Sequence, residues 1–334
     1  MPPSFEDIDS KVEKAQGDKA RFLKSKEGLL PHFEFPSGET KEEKHYSKET
    51  LIADIMEERI EGAREMMENP VLLENAYRSL QNSATQGSER EGENIADASW
   101  AFDTLSALIT THSISHLSPK KQNEINSYLE NPILLENAYR DLHNDATRGS
   151  KKEGENTINA FYTLHALFAL ISTHSLSRLS LEQQNKINSY LENPILLENA
   201  YRNLRHNATE GSRKEGEDIG SAFHAFYTLS ALISTHFLSY LSPEKQNNIN
   251  SYFENPILLE NVCRDLQGDA TQGSLKETEY TKNASWALCS LSSLITVKDY
   301  LREKGKKIDD ENFAKEALNP TKNIPPRPEG IVGK

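Results

Sequence analysis

The stretch ENPILLENAYR, residues 130–140, decides the fold. It returns as ENPVLLENAYR at 68–78, unchanged at 192–202, and as ENPILLENVCR at 254–264, at a spacing of 62 residues each time. A fixed period of this length is the signature of stacked supersecondary units, and it outranks any local reading. Within the stretch Asn131 is a good helix N-cap, and Pro132 follows at N1, where a missing N–H costs nothing. Leu135, Ala138, Tyr139 and Leu142 then fall on one helical face. This first segment, A, is expected to run to about Thr147, with Gly149 as its stop.

Two further segments complete the unit. Ser88, Ser150, Ser212 and Ser274 each stand three residues before a Glu, the spacing of a capping box, and predict the start of segment B. Its apolar stripe reads Ala98, Phe102, Leu105, Leu108 and Ile109 in the first unit and recurs 62, 124 and 186 residues later as a buried helical face. Segment C is short. Ser118-Pro119 and Ser242-Pro243 are N-cap and N1 starts, and Ser180-x-x-Gln183 is a capping box.

The fold class expected is therefore all-α: an alpha-solenoid-like array of four 62-residue units with about three helices each, open and elongated. The expected division is an extension over 1–46, with one short helix near 5–22, and a capping helix over 47–68. Units follow over 69–130, 131–192 and 193–254, then a truncated unit over 255–299 and a C-terminal cap and tail over 300–334.

Three polar sets repeat with the framework. Glu136, Asn137 and Arg140 recur in every unit; Glu and Arg four apart pair along a helix, and Asn and Arg also supply donors to a ligand. Glu153-Gly154-Glu155 and its counterparts are expected in the first turn of segment B, where negative charge is favourable, with the glycine needed for close approach of a neighbouring backbone. Thr111-His112, Thr173-His174 and Thr235-His236 are expected in the last turn of that helix, where a cation favours the dipole.

Other positions change while the stripe stays fixed. Trp100 becomes Tyr162, His224 and Trp286; Asp103 becomes His165, Tyr227 and Cys289. Constant framework beside changing aromatic and polar columns is how a repeat array shapes a binding surface. The binding candidates are thus Trp100, Asp103, Tyr162, His165, His224, Tyr227 and Trp286, with Glu136, Asn137 and Arg140 beside them.

Composition narrows the function classes. The 334 residues carry a formal net charge of -13, which repels polyphosphate backbones and anionic membranes, so nucleic acid is an unfavourable partner. Hydrophobic residues make up 36%, and no window is long and apolar enough for a spanning helix. The two cysteines make neither a disulfide framework nor a zinc pattern, no cofactor motif stands out, and no metal or cofactor is expected. The N-terminus has no apolar leader, so a cytoplasmic protein is expected. Near-identical units without an export signal also suit a bacterial effector translocated into a host cell. The leading expectation is a non-enzymatic module binding a protein or peptide. The alternatives are an enzyme with an unfamiliar helical site and a structural or oligomerising repeat protein.

Overall fold

A computed structural model describes residues 46–317, with side chains described from 46 to 311. The expected short helix near 5–22 and the tail lie outside the described residues. Among those described there are twelve α-helices, three short 3-10 turns and no strand.

After α1 (Lys48–Met67), segment A is α2 (Pro70–Gly87), α5 (Pro132–Gly149), α8 (Pro194–Gly211) and α11 (Pro256–Gly273). Segment B is α3 (Ile95–Thr110), α6 (Thr157–Ser172), α9 (Ile219–Ser234) and α12 (Thr281–Ala317). Segment C is α4 (Pro119–Glu130), α7 (Leu181–Leu191) and α10 (Pro243–Phe253). The caps of segment A are as expected: Asn131 Oδ1 accepts from the backbone N–H groups of Ile133 and Leu134, at 2.9 and 3.1 Å. Asn131 itself is extended, so C and A are separate helices.

The array is not open. Four B helices pack side by side around a central axis, and each A helix fills the outer groove between one B helix and the next. The last B helix, α12, packs on α3 and α2, and so joins the ends of the array. The expected open, elongated solenoid is therefore replaced by a closed ring. Closure lets the terminal units bury the faces that an open array leaves to solvent.

One joint is used at every step. Asn137 is fully buried, and its amide nitrogen donates to the carbonyls of Gly87, Arg90 and Glu93, at 2.8, 2.9 and 3.1 Å. Its Oδ1 accepts from the Gly92 N–H. Asn199 and Asn261 hold the preceding loops alike, and Asn75 donates to Gly273 and Lys276 across the closure.

The missing third helix of the last unit comes from the start of the chain. Lys121 pairs with Glu74 and Lys245 with Glu198, each from segment C to segment A. The corresponding partner of Glu260 is Arg59 on α1, at 3.1 Å. Helix α1 lies antiparallel to the extended α12, with Arg302 on Asp54 and Glu57, Lys298 on Glu57, and Asp309 accepting from the Ser47 N–H. A side chain at Gly305 would collide with Thr50. The last B segment thus does not stop near 299, as the truncated unit implied; α12 continues through Lys298 because α1 supplies its partners.

Three local expectations are corrected. Ser88, Ser150, Ser212 and Ser274 end segment A instead of opening B, and Ser88 Oγ donates back to the Ala84 carbonyl at 2.6 Å. Gly149 is the last helical residue, and is small because a Cβ there would lie 2.8 Å from the backbone nitrogen of Ala160. His112, His174 and His236 sit just beyond the helix in the left-handed region, at φ 57, 55 and 58°.

Candidate binding surface

The repeated Glu-Asn-x-x-Arg set lies at the joints. Arg140 Nε donates to Glu136 at 2.9 Å, and the same guanidinium pairs with Glu91 of the preceding loop. The acidic turn is therefore not the first turn of a helix. It is a loop in which Gly92 stands at φ 82°, its N–H used by Asn137 and its open side facing the Arg140 guanidinium. The neighbour that requires glycine is a side chain, and the left-handed backbone requires it as well. Burial works against the Glu74 anion, but Lys121 and Arg78 together hold its pKa below the usual range. Glu136, Arg140, Tyr139 and His143 border a shallow depression of about 390 Å³ on the outside of the ring.

The changing columns meet elsewhere, at the N-terminal end of the B helices. Trp100 and Tyr162 are 45% and 43% exposed there, whereas one turn deeper Asp103 is 8% and Tyr227 3% exposed. The outer column forms an aromatic mouth. The Trp100 and Trp286 rings stack with centroids 6.0 Å apart. Phe223 lies 5.6 Å from Trp286, Phe161 lies 5.2 Å from His224, and Tyr162 lies 5.3 Å from Phe161. All four units contribute, although Trp100 and Trp286 are distant in sequence.

Beneath the mouth the second column closes the axis. The Tyr227 hydroxyl crosses the ring and donates to Asp103 Oδ1 at 3.1 Å. The His165 ring stands edge-on to Tyr227 with centroids 3.7 Å apart. Burial raises the Asp103 carboxyl to about 7, with a smaller upward push from Asp141. Burial also pulls His165 well below the usual imidazole range, so that it is neutral. Cys289 is pushed well up by burial and then by Asp103. A nucleophilic cysteine needs the opposite, a stabilised thiolate beside a base. This level of the axis is therefore organised by packing and hydrogen bonding, not for thiolate chemistry.

The five buried side-chain atoms that lack a hydrogen-bond partner among the described residues are Ser99 Oγ, Ser106 Oγ, His165 Nε2, His224 Nδ1 and Ser292 Oγ. All stand on B helices. No group of three or more His, Cys, Asp or Glu among the described residues is placed to hold a metal ion. No described helix is long and apolar enough to cross a membrane.

Sequence reasoning missed two sets of neighbours. Phe161 and Phe223 occupy a third changing column, with Ser99 and Ser285 in the other units. Asp141, Asp145, Asp265 and Asp269 stand on segment A, where the other units carry Ser or Asn. Asn159 donates to Asp145 and Asn283 to Asp269, both at 2.6 Å, so these carboxylates border the first turns of α6 and α12. Their signal was the same contrast between fixed and changing columns, applied to segment A. Comparisons with family models, with curated proteins and with solved structures gave no match to this chain.

Proposed function

We propose that the protein is a non-enzymatic helical-repeat module that binds a protein or peptide partner through the aromatic mouth of its ring. The observation that carries this reading is convergence. Trp100, Tyr162, His224 and Trp286, a changing column of near-identical units, are far apart in sequence and meet on one partly exposed face. Trp and Tyr at such a face supply large contact area with little entropy to lose, which is the usual make-up of a binding hot spot. The framework residues, by contrast, are committed to holding one unit against the next.

The test compares wild type with Trp100→Ala/Tyr162→Ala in affinity capture from a lysate. Helical content of the two proteins is checked first. Wild type should retain a partner that the double variant loses. Identical capture by two equally folded proteins rejects the mouth as the binding face.

A further inference from the structure

The Trp286 side of the mouth is unlike the others in its charge. Asn283, Trp286 and Ser290 lie on one stripe of α12, at helical spacings of three and four. Asn283 donates to Asp269, and Ser290 Oγ donates to Asp265 Oδ2 at 3.4 Å, so two carboxyl groups meet α12 at the residues three before and four after the tryptophan. The corresponding pair on α5, Asp141 and Asp145, has Arg148 nearby, which works to lower both pKa values. Segment A of the last unit carries Gln272 in that place. Burial raises Asp265 to about 7, with Asp269 adding to the rise; burial raises Asp269 as well. The nearest basic side chain along α12 is the exposed Lys282, which has no ion pair with either carboxylate.

A second observation is independent of these acids. His165 is more than nine-tenths buried, its Nε2 has no partner, and it stands one turn below the mouth. His224 Nδ1 at the mouth is also unpartnered, and burial lowers the pKa of that ring too. Neutral imidazoles offer an acceptor nitrogen. Aromatic faces, carboxyl groups without a basic partner and spare acceptors all favour the same visitor, one that is positively charged and only donates hydrogen bonds.

We propose that the Trp286 sector of the mouth seats a cationic side chain, an arginine or lysine from a basic segment of a partner protein, between the tryptophan faces and the carboxylates of Asp265 and Asp269. This rests on the reading of the mouth as the binding face and names the chemistry it selects. Arginine is the better fit, because a planar guanidinium both stacks on indole and forks onto carboxylate. The acidic balance of the whole chain assists the approach of such a segment.

The chain contains two tryptophans, Trp100 and Trp286, and both are at the mouth, so selectively excited tryptophan fluorescence reports on this site. The full-length protein is titrated with a short Gly/Ser peptide carrying several arginines, and with lysine, glutamate and leucine counterparts. The arginine peptide should change the fluorescence saturably. Asp265→Asn/Asp269→Asn should weaken it about tenfold, the scale of losing charge-assisted bonds. Glu61→Gln/Glu65→Gln likewise turns two carboxylates into amides, on the exposed face of α1, and should leave binding as it was. Equal weakening in the two double variants overturns the site in favour of general charge attraction. Preference for the glutamate or leucine peptide overturns the cation but keeps the mouth. No response to any peptide also overturns the cation, and leaves the mouth to stand or fall on the capture experiment.

Discussion

Asn75 donates to the carbonyl of Gly273, 198 residues away, at 2.8 Å, the same bond at the same length that Asn137 makes to Gly87 between adjacent units. The ring is thus closed by the joint that builds it. Asn75→Ala and Asn137→Ala should each destabilise the fold by at least about 1–3 kcal/mol, because buried carbonyls lose their donor. Urea unfolding of both variants checks this. A loss at Asn137 with none at Asn75 would mean that the ring is open in solution.

The closing joint carries two unusual residues in the left-handed region, Thr278 and Tyr280, of which Thr278 is β-branched. Where the other loops have glycine at φ near 80°, the last has Thr278 at φ 72°, its N–H donating to Asn75 Oδ1 at 2.7 Å. A β-branched residue is poorly suited to the left-handed region, at a cost of roughly 1–2 kcal/mol. Thr278→Gly should therefore stabilise the protein by up to about 1 kcal/mol, after the entropy that glycine adds to the unfolded chain. A fall in melting temperature would contradict this account of the joint.

Helix starts and stops give a paired test. Asn131 caps α5 through two backbone N–H groups, so Asn131→Ala should cost about 1 kcal/mol. Ser150 lies at the other end of the same helix, and its hydroxyl reaches only the Thr147 carbonyl, at 3.4 Å. Ser150→Ala should stay within about 0.5 kcal/mol of wild type. Equal losses in chemical denaturation would restore Ser150 as a helix start.

The helices were legible because the chain repeats its punctuation: Asn-Pro opens segment A four times, and the stripe of segment B is copied with it. Closure was not legible. It depends on α1 standing in for a missing third helix of the last unit, a role seen in the pairing of Arg59 with Glu260. The capping-box spacing misled because Ser and Glu belong to a loop whose conformation is fixed by Asn137 and Arg140 from the next unit. The changing columns were visible as columns, but the same letters serve equally for drift on a solvent face. Only the ring brings Trp100 against Trp286.

Core and mouth should respond differently to truncation. Leu167 is fully buried on α6, and Leu167→Ala should cost roughly 2–5 kcal/mol through lost burial and a cavity. Tyr162 lies on the same helix but is 43% exposed, and Tyr162→Ala should cost less than about 1 kcal/mol. If the two variants unfold at the same urea concentration, the Tyr162 ring is core and the mouth is smaller than described.

The axis should make stability depend on pH in an unusual direction. Burial raises the Asp103 carboxyl from 3.8 to about 7. Between those values the folded chain holds a proton that the unfolded chain has released. Stability from this group is therefore full below about pH 4, falls as the pH rises to about 7, and stays low above it. Asp103→Asn keeps an acceptor for the Tyr227 hydroxyl and removes the charge. Among the neighbours, Tyr227 and Cys289 are pushed well up and His165 well down, and all three are present in both proteins, so their contributions largely cancel in the difference. Asp141, Asp265 and Asp269 are raised as well, but they are present in both proteins and largely cancel in the difference. The variant should thus gain on wild type between about pH 4 and about pH 8, by on the order of 2–4 kcal/mol. Urea titrations at the two pH values measure that gain directly. A difference that stays constant would mean that Asp103 ionises as an ordinary carboxylate and that the axis is open to water.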